Sequence, residues 1–122
     1  MSMMAELKKV LAQLKTDSGA SICAIVSRNG IPIAYDAPEG SHMDTFSTLS
    51  ATILGASEVI YSGLKKEKPE MVLARSPSGT LIARPIGVKA LLVVLGDRPP
   101  EELAPIVGKA AESIREVLKY EH

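Results

Sequence analysis

Side chains able to do chemistry are few in this sequence, and they stand far apart. There is one cysteine, Cys23, and two histidines, His42 and His122. Cys23 lies within ASICAIVS (20–27), among small and apolar neighbours. A nucleophilic thiol needs a cation, a helix N-terminus or a metal to lower its pKa. No base adjoins Cys23 in the sequence, so it reads as a buried structural thiol. One cysteine and two histidines at these separations match no metal-ligand spacing. The carboxylates Asp36, Glu39 and Asp44 surround a polar loop, and Glu101 and Glu102 open a helix, where negative charge is favourable. Lys65, Lys66 and Lys68 gather at a helix end as solvated cations. No G-x-x-x-x-G-K-[ST] segment occurs, so no P-loop cradles a triphosphate here, and G-x-G-x-x-G, nucleophile-elbow and H-E-x-x-H patterns are missing too. The sequence points to no catalytic, cofactor or metal residues, and so to a function carried out by surfaces.

Those surfaces must be presented by one compact unit. The 122 residues suit a single domain spanning 1–122. Hydrophobic residues make up 46% and aromatics only 3%, so the core must be aliphatic. Formal net charge is zero, with one Phe, three Tyr and no Trp. Neither a basic face for phosphates nor a row of stacking platforms is available, which argues against nucleic acid. A lone cysteine excludes an internal disulfide and fits a reducing compartment. Charges at Glu6, Lys8 and Lys9 break the first segment into an amphipathic helix pattern, unlike a signal peptide. No uncharged apolar run reaches the ~20 residues of a membrane span. The expectation is a cytoplasmic protein without membrane insertion.

Periodicity supplies the elements. Leu7, Val10, Leu11 and Leu14 repeat at one helix face, and Asp17-Ser18-Gly19 ends that helix. Residues 20–27 form a β-branched run, Arg28-Asn29-Gly30 a tight turn, and 31–35 a returning strand. After the polar loop 36–42, with Ser41 and Asp44 as candidate caps, a helix runs to about Gly63. Its large apolar residues Phe46, Leu49, Ile53, Ile60 and Leu64 are expected to face the core. Three strands follow at 70–76, 80–86 and 90–95, joined by Pro77-Ser78-Gly79 and Gly87-Val88-Lys89. The last helix carries Leu103, Ile106, Val107, Ala110, Ile114, Val117 and Leu118 on one stripe, with a kink or delayed start expected at Pro105. Short links make the sheet mainly antiparallel. Strands one and five are apolar at nearly every position, so they belong in the middle of the sheet with cover on both faces. The fold class is an α/β sandwich of about five strands with helices on both sides.

Three stretches in this order resemble the Roadblock family, which includes dynein light chains of the Roadblock type and MglB-like regulators. They are Val26-Ser27-Arg28-Asn29-Gly30-Ile31-Pro32-Ile33-Ala34, Leu49-Ser50-Ala51-Thr52-Ile53-Leu54-Gly55-Ala56, and Gly79-Thr80-Leu81-Ile82-Ala83-Arg84-Pro85-Ile86-Gly87. The resemblance covers almost the whole chain. It implies a longin- or profilin-like sandwich with sheet order 2-1-5-4-3, in agreement with the central places given to strands one and five. It also implies a homodimer made by third strands pairing edge to edge and second helices packing together. A further implication is a Ras-like small GTPase bound in trans, with no chemistry of the family's own.

Small residues four apart let helices approach closely, and Ser47, Ala51, Gly55 and Val59 make such a ridge, flanked by Thr48, Thr52 and Ala56. Gly55 inside a helix costs about 1 kcal/mol against Ala, which calls for a packing reason. The expected dimer interface comprises Ser47, Ala51, Leu54, Gly55, Glu58 and Val59 on the helix. On the third strand it comprises Met71, Val72, Leu73, Ala74 and Arg75, an edge blunted by neither charge nor Pro in its interior. The leading functional reading is a non-enzymatic homodimeric regulator or scaffold for a Ras-like GTPase. A motor-type adaptor that holds a peptide segment of a larger chain is the alternative. A small-ligand sensor ranks last, because no polar cluster interrupts the apolar segments to orient a ligand.

Overall fold

The computed structural model describes residues 1–119; His122 lies outside them. Helix α1 (Met3–Ser18) is capped by the Ser2 hydroxyl, which accepts from the Ala5 N–H at 3.1 Å. It ends at Gly19, whose left-handed backbone (φ 66°) returns its N–H to the Lys15 carbonyl. Strands β1 (Ile22–Ser27) and β2 (Pro32–Asp36) form the expected hairpin. Helix α2 (Met43–Gly63) leads to β3 (Val72–Ser76), β4 (Gly79–Ile86) and β5 (Ala90–Gly96), and α3 (Pro100–Lys119) closes the order. All neighbouring strands are antiparallel, in the order β2-β1-β5-β4-β3.

The unbroken apolar runs of β1 and β5 are explained by what lies on each side. Alternate side chains of a strand point to opposite faces. Cys23, Ile25, Leu92 and Val94 therefore face one way and pack with Leu7, Leu11, Leu103, Val107 and Ile114 of α1 and α3. Ala24, Val26, Leu91 and Val93 face the other way and meet Met43 and Leu54 of α2. Two helices cover one face and a single helix the other.

Several local expectations are corrected. The N-cap position of α2 is His42, without a side-chain cap bond, and the Ser41 hydroxyl instead donates to the Pro38 carbonyl at 2.7 Å. Pro105 does not delay the start of α3, which runs from Pro100 with Pro105 inside it. Pro105 and Glu101 are both exposed, so the carbonyl that loses its helical donor can turn to water.

The larger correction concerns α2. Its buried residues are Met43, Ser47, Ser50 and Leu54. Leu49, Ile53, Ile60 and Leu64, expected in the core, are 57%, 41%, 61% and 64% exposed. Phe46 is half-buried and packs on the edge of the α2-side core. The sheet face beneath α2 carries Ala24 and Ala83, and a helix with serines and alanines beneath can settle on it closely. The large residues are turned away.

At the β1–β2 turn, Gly30 has φ +89°, and a Cβ there would lie 2.9 Å from Thr48 Cα on α2. Both the backbone conformation and the close approach demand glycine. Gly30→Ala is expected to cost about 2 kcal/mol or more, read as a lowered urea midpoint with unchanged slope. A midpoint unmoved by the substitution would contradict this seating of the turn against α2.

Candidate partner-binding surface

The reactive groups take up structural roles. Cys23 is fully buried on β1. Burial pushes its thiol up to about 11, with the nearby Asp36 charge acting in the same direction. Asp36 accepts from Lys15 Nζ at 2.8 Å, tying α1 to the end of β2. That hydrogen bond raises the lysine pKa above its ordinary value. Glu39 is exposed in the loop, Asp44 sits in the first turn of α2, and Glu101 and Glu102 occupy the first turn of α3. Lys65, Lys66 and Lys68 are exposed beyond the end of α2. There the Lys66 N–H returns to the Tyr61 carbonyl at 2.9 Å, and Lys65 adopts φ 58° where glycine is usual. Among the described residues no three His, Cys, Asp or Glu side chains gather as a metal site. No described helix is long and apolar enough to cross a membrane.

The distinctive surface is apolar and lies on α2. At about 100° per residue, Leu49, Ile53, Ala56, Ile60 and Leu64 share one flank of the helix, and four of them are large and exposed. The opposite flank is occupied by the β1–β2 turn. There the Thr48 hydroxyl lies 3.4 Å from the Gly30 carbonyl, and Glu58 pairs with Arg28. Helix α2 crosses the sheet in contact with β1, β2, β3 and β4.

The second component is β3, the last strand of the sheet, which pairs with β4 on one side only. Val72 is half-buried, and Leu73, Ala74, Arg75 and Ser76 are exposed. No proline or lysine interrupts it. Edge strands of this kind present unpaired backbone donors and acceptors to any strand that can align with them.

The interface residues expected from the sequence therefore divide. Ser47 and Leu54 are sunk in the protomer's own interior, at 0% exposure, and cannot reach a second subunit. Glu58 is committed to Arg28 in the same chain. Ala51 is half-buried and packs on the α2-side core. Gly55 is half-exposed with open space where a Cβ would project, so no contact within the chain requires glycine there. Val59 is 72% exposed on the turn-side flank. Met71 and Val72 lean on the two core layers, and Leu73, Ala74 and Arg75 stand open on the edge. The Leu49–Leu64 flank was missed because periodicity reports that a helix has an apolar face, without reporting what that face meets.

The profile of the Roadblock/LC7 domain family matches residues 6–96. No curated protein sequence gives a significant match. Among solved structures, the chain is similar to the gliding protein MglB of Thermus thermophilus, with 21% identity and a TM-score of 0.88 over 98% of this chain and 93% of that one. Myxococcus xanthus MglB gives 16% identity and a TM-score of 0.89 over 97% and 98%. A further MglB structure, described as having a tetrameric arrangement, gives 22% identity and a TM-score of 0.88 over 98% and 92%. At these identities the likeness is one of fold.

The buried thiol gives a direct check on the core. Its raised pKa means that neutral Cys23 contributes stability that is whole below pH 9.0 and is lost as pH rises through about 11. The wild-type urea midpoint should fall more steeply than that of Cys23→Ala over this range. Parallel decline of the two would contradict a buried, neutral thiol.

Proposed function

The chain belongs to the Roadblock/LC7 domain family, and we propose that residues 1–122 act as one domain, a homodimeric, non-catalytic regulator or scaffold for a Ras-like small GTPase. The observation that carries the reading is the pairing of an open apolar flank on α2 with an open strand edge at β3. Joining two β3 strands antiparallel about a twofold axis continues the sheet from one protomer into the next. It also sets two α2 helices side by side on the same face, where Leu49, Ile53, Ile60 and Leu64 can cover one another. Fully burying a Leu or Ile side chain is worth about 1.5–3 kcal/mol, so four such residues per protomer are ample to hold the strands in register. The interface then comprises this flank with Leu73, Ala74 and Arg75. It leaves out Ser47 and Leu54, which the protomer buries, and Glu58, which pairs with Arg28.

A Ras-like GTPase as the partner in trans is supported by family membership and by a rigid platform that brings no nucleotide-binding loop of its own. The doubled α2 layer offers two exposed helix ends, with Val59, Tyr61 and Lys65 in open positions, as a place for such a protein to sit. A cytoplasmic setting is part of the same proposal.

Light scattering should give twice the 12.9 kDa chain mass for the wild type, and Ile53→Asp with Ile60→Asp should give a folded monomer. A monomeric wild type, or a double variant that stays dimeric, would count against the pairing. Immobilised dimer should retain a Ras-like GTPase from native extract in a nucleotide-dependent way, when GDP and a non-hydrolysable GTP analogue are compared. Retention of a different protein, indifferent to nucleotide, would instead support an adaptor role.

A further inference from the structure

A concave surface lies on the α3 side of the sheet, opposite α2. The β4–β5 turn, Gly87 to Lys89, stands beside the last turn of α3 and encloses a groove of about 360 Å³. Ile86, Ala90 and Leu118 line it. Val88 projects from the turn at 83% exposure. The charged groups on the rim are Lys89, Arg115 and Lys119, and among the described residues no carboxylate lines the groove. None of the three cations makes an ion pair among the described residues. Burying an apolar group beside unpaired cations is favourable when the incoming group brings its own carboxylates.

We infer that this groove is a docking site for a short acidic peptide segment of a partner protein, with one bulky apolar side chain seated between flanking carboxylates. The apolar floor takes the anchor, and Lys89, Arg115 and Lys119 take the acids. Its volume sits at the lower end of the range for ligand pockets, roughly 300–1,000 Å³, which suits one or two side chains. The larger groove between α1 and α3, about 630 Å³, gives no such direction, because its rim mixes Lys9 and Lys109 with Asp17.

An anionic bilayer is the rival occupant for a basic rim with an exposed valine. Concavity disfavours it, since a membrane is met by a projecting or flat surface. Geometry disfavours it too, on a point that rests on the twofold pairing proposed above. The β1–β2 and β4–β5 turns lie at the same end of the sheet, where Ser27 pairs with Ala90 and the Arg28 N–H bonds the Lys89 carbonyl at 2.9 Å. A twofold axis perpendicular to the sheet points these ends in opposite directions. A flat bilayer would then engage one groove per dimer, whereas separate peptides can fill both.

The test is a titration of the isotope-labelled full chain followed by amide resonances. The probes are peptides carrying leucine or phenylalanine between two pairs of aspartates. Control peptides replace the anchor with serine or the aspartates with lysine, and vesicles of phosphatidylcholine with phosphatidylserine form a separate arm. Anchored acidic peptides should shift the resonances of Ile86–Ala90 and Arg115–Lys119. Each control peptide, and the variant Lys89→Glu with Arg115→Glu, should bind about tenfold more weakly or worse, about 1.4 kcal/mol. Circular dichroism should find that variant folded, since both substituted side chains are exposed. Equal binding of the serine peptide, indifference to the charge reversal, shifts confined to other residues, or binding to vesicles alone would each overturn the proposal. A monomeric protein that still binds the peptides here would refute the pairing while leaving this site intact.

Discussion

Helix α2 is apolar on two sides, and the sheet beneath it can cover only one. Met43, Ser47, Ser50 and Leu54 settle on Ala24, Val26, Ala83, Leu91 and Val93, and this close seating leaves Leu49, Ile53, Ile60 and Leu64 pointing elsewhere. A protomer rarely keeps a contiguous row of large aliphatic side chains in water without a use for it. The same layer of the molecule ends in β3, whose outer backbone groups have no strand to bond. In the pairing proposed above, one second copy about a twofold axis would satisfy both deficits together. This coincidence of an apolar flank and a bare edge is what the proposed function rests on.

The remainder of the structure holds those two features in place. Both faces of β1 and β5 are buried, so the centre of the sheet is fixed from above and below. Helices α1 and α3 pack against one another and close the far face, so their surface is not needed to hold α2. The link between α2 and the hairpin is specific. Gly30 presses against Thr48, and Arg28 reaches Glu58. These contacts occupy the flank opposite the apolar row and fix which side of the helix is left free.

How far the sequence determines this picture differs by element. The strands were legible because their runs are short, β-branched and separated by Asn-Gly, Pro-Ser-Gly and Gly-Val-Lys turns. Their order was legible because only strands one and five lack a polar face, and resemblance supplied the rest. The edge position of β3 followed from that order. What misled was α2. A helix with one row of large residues and one of small residues invites the reading that the large row is core. The opposite holds here: the sheet beneath offers small alanines, and the large residues stay exposed on the protomer. Ser47 and Leu54 were placed outside on the same mistaken rotation. The pairing of Glu58 was hidden because its partner, Arg28, is thirty residues away along the chain, a distance that no local pattern spans. Pro105 misled for a milder reason, since a proline near a helix start can be absorbed when the carbonyl it orphans faces water.

If β3 is a joined strand whenever the protein is assembled, amide hydrogen exchange will report it. The outward-facing amides of Leu73–Arg75 should be protected in concentrated solution and should lose that protection on dilution, or in Ile53→Asp with Ile60→Asp, while Ala24 and Val93 stay protected throughout. Fast exchange along the outer side of β3 at every concentration, with the centre of the sheet protected, would mean that the edge stays open and that two β3 strands do not pair.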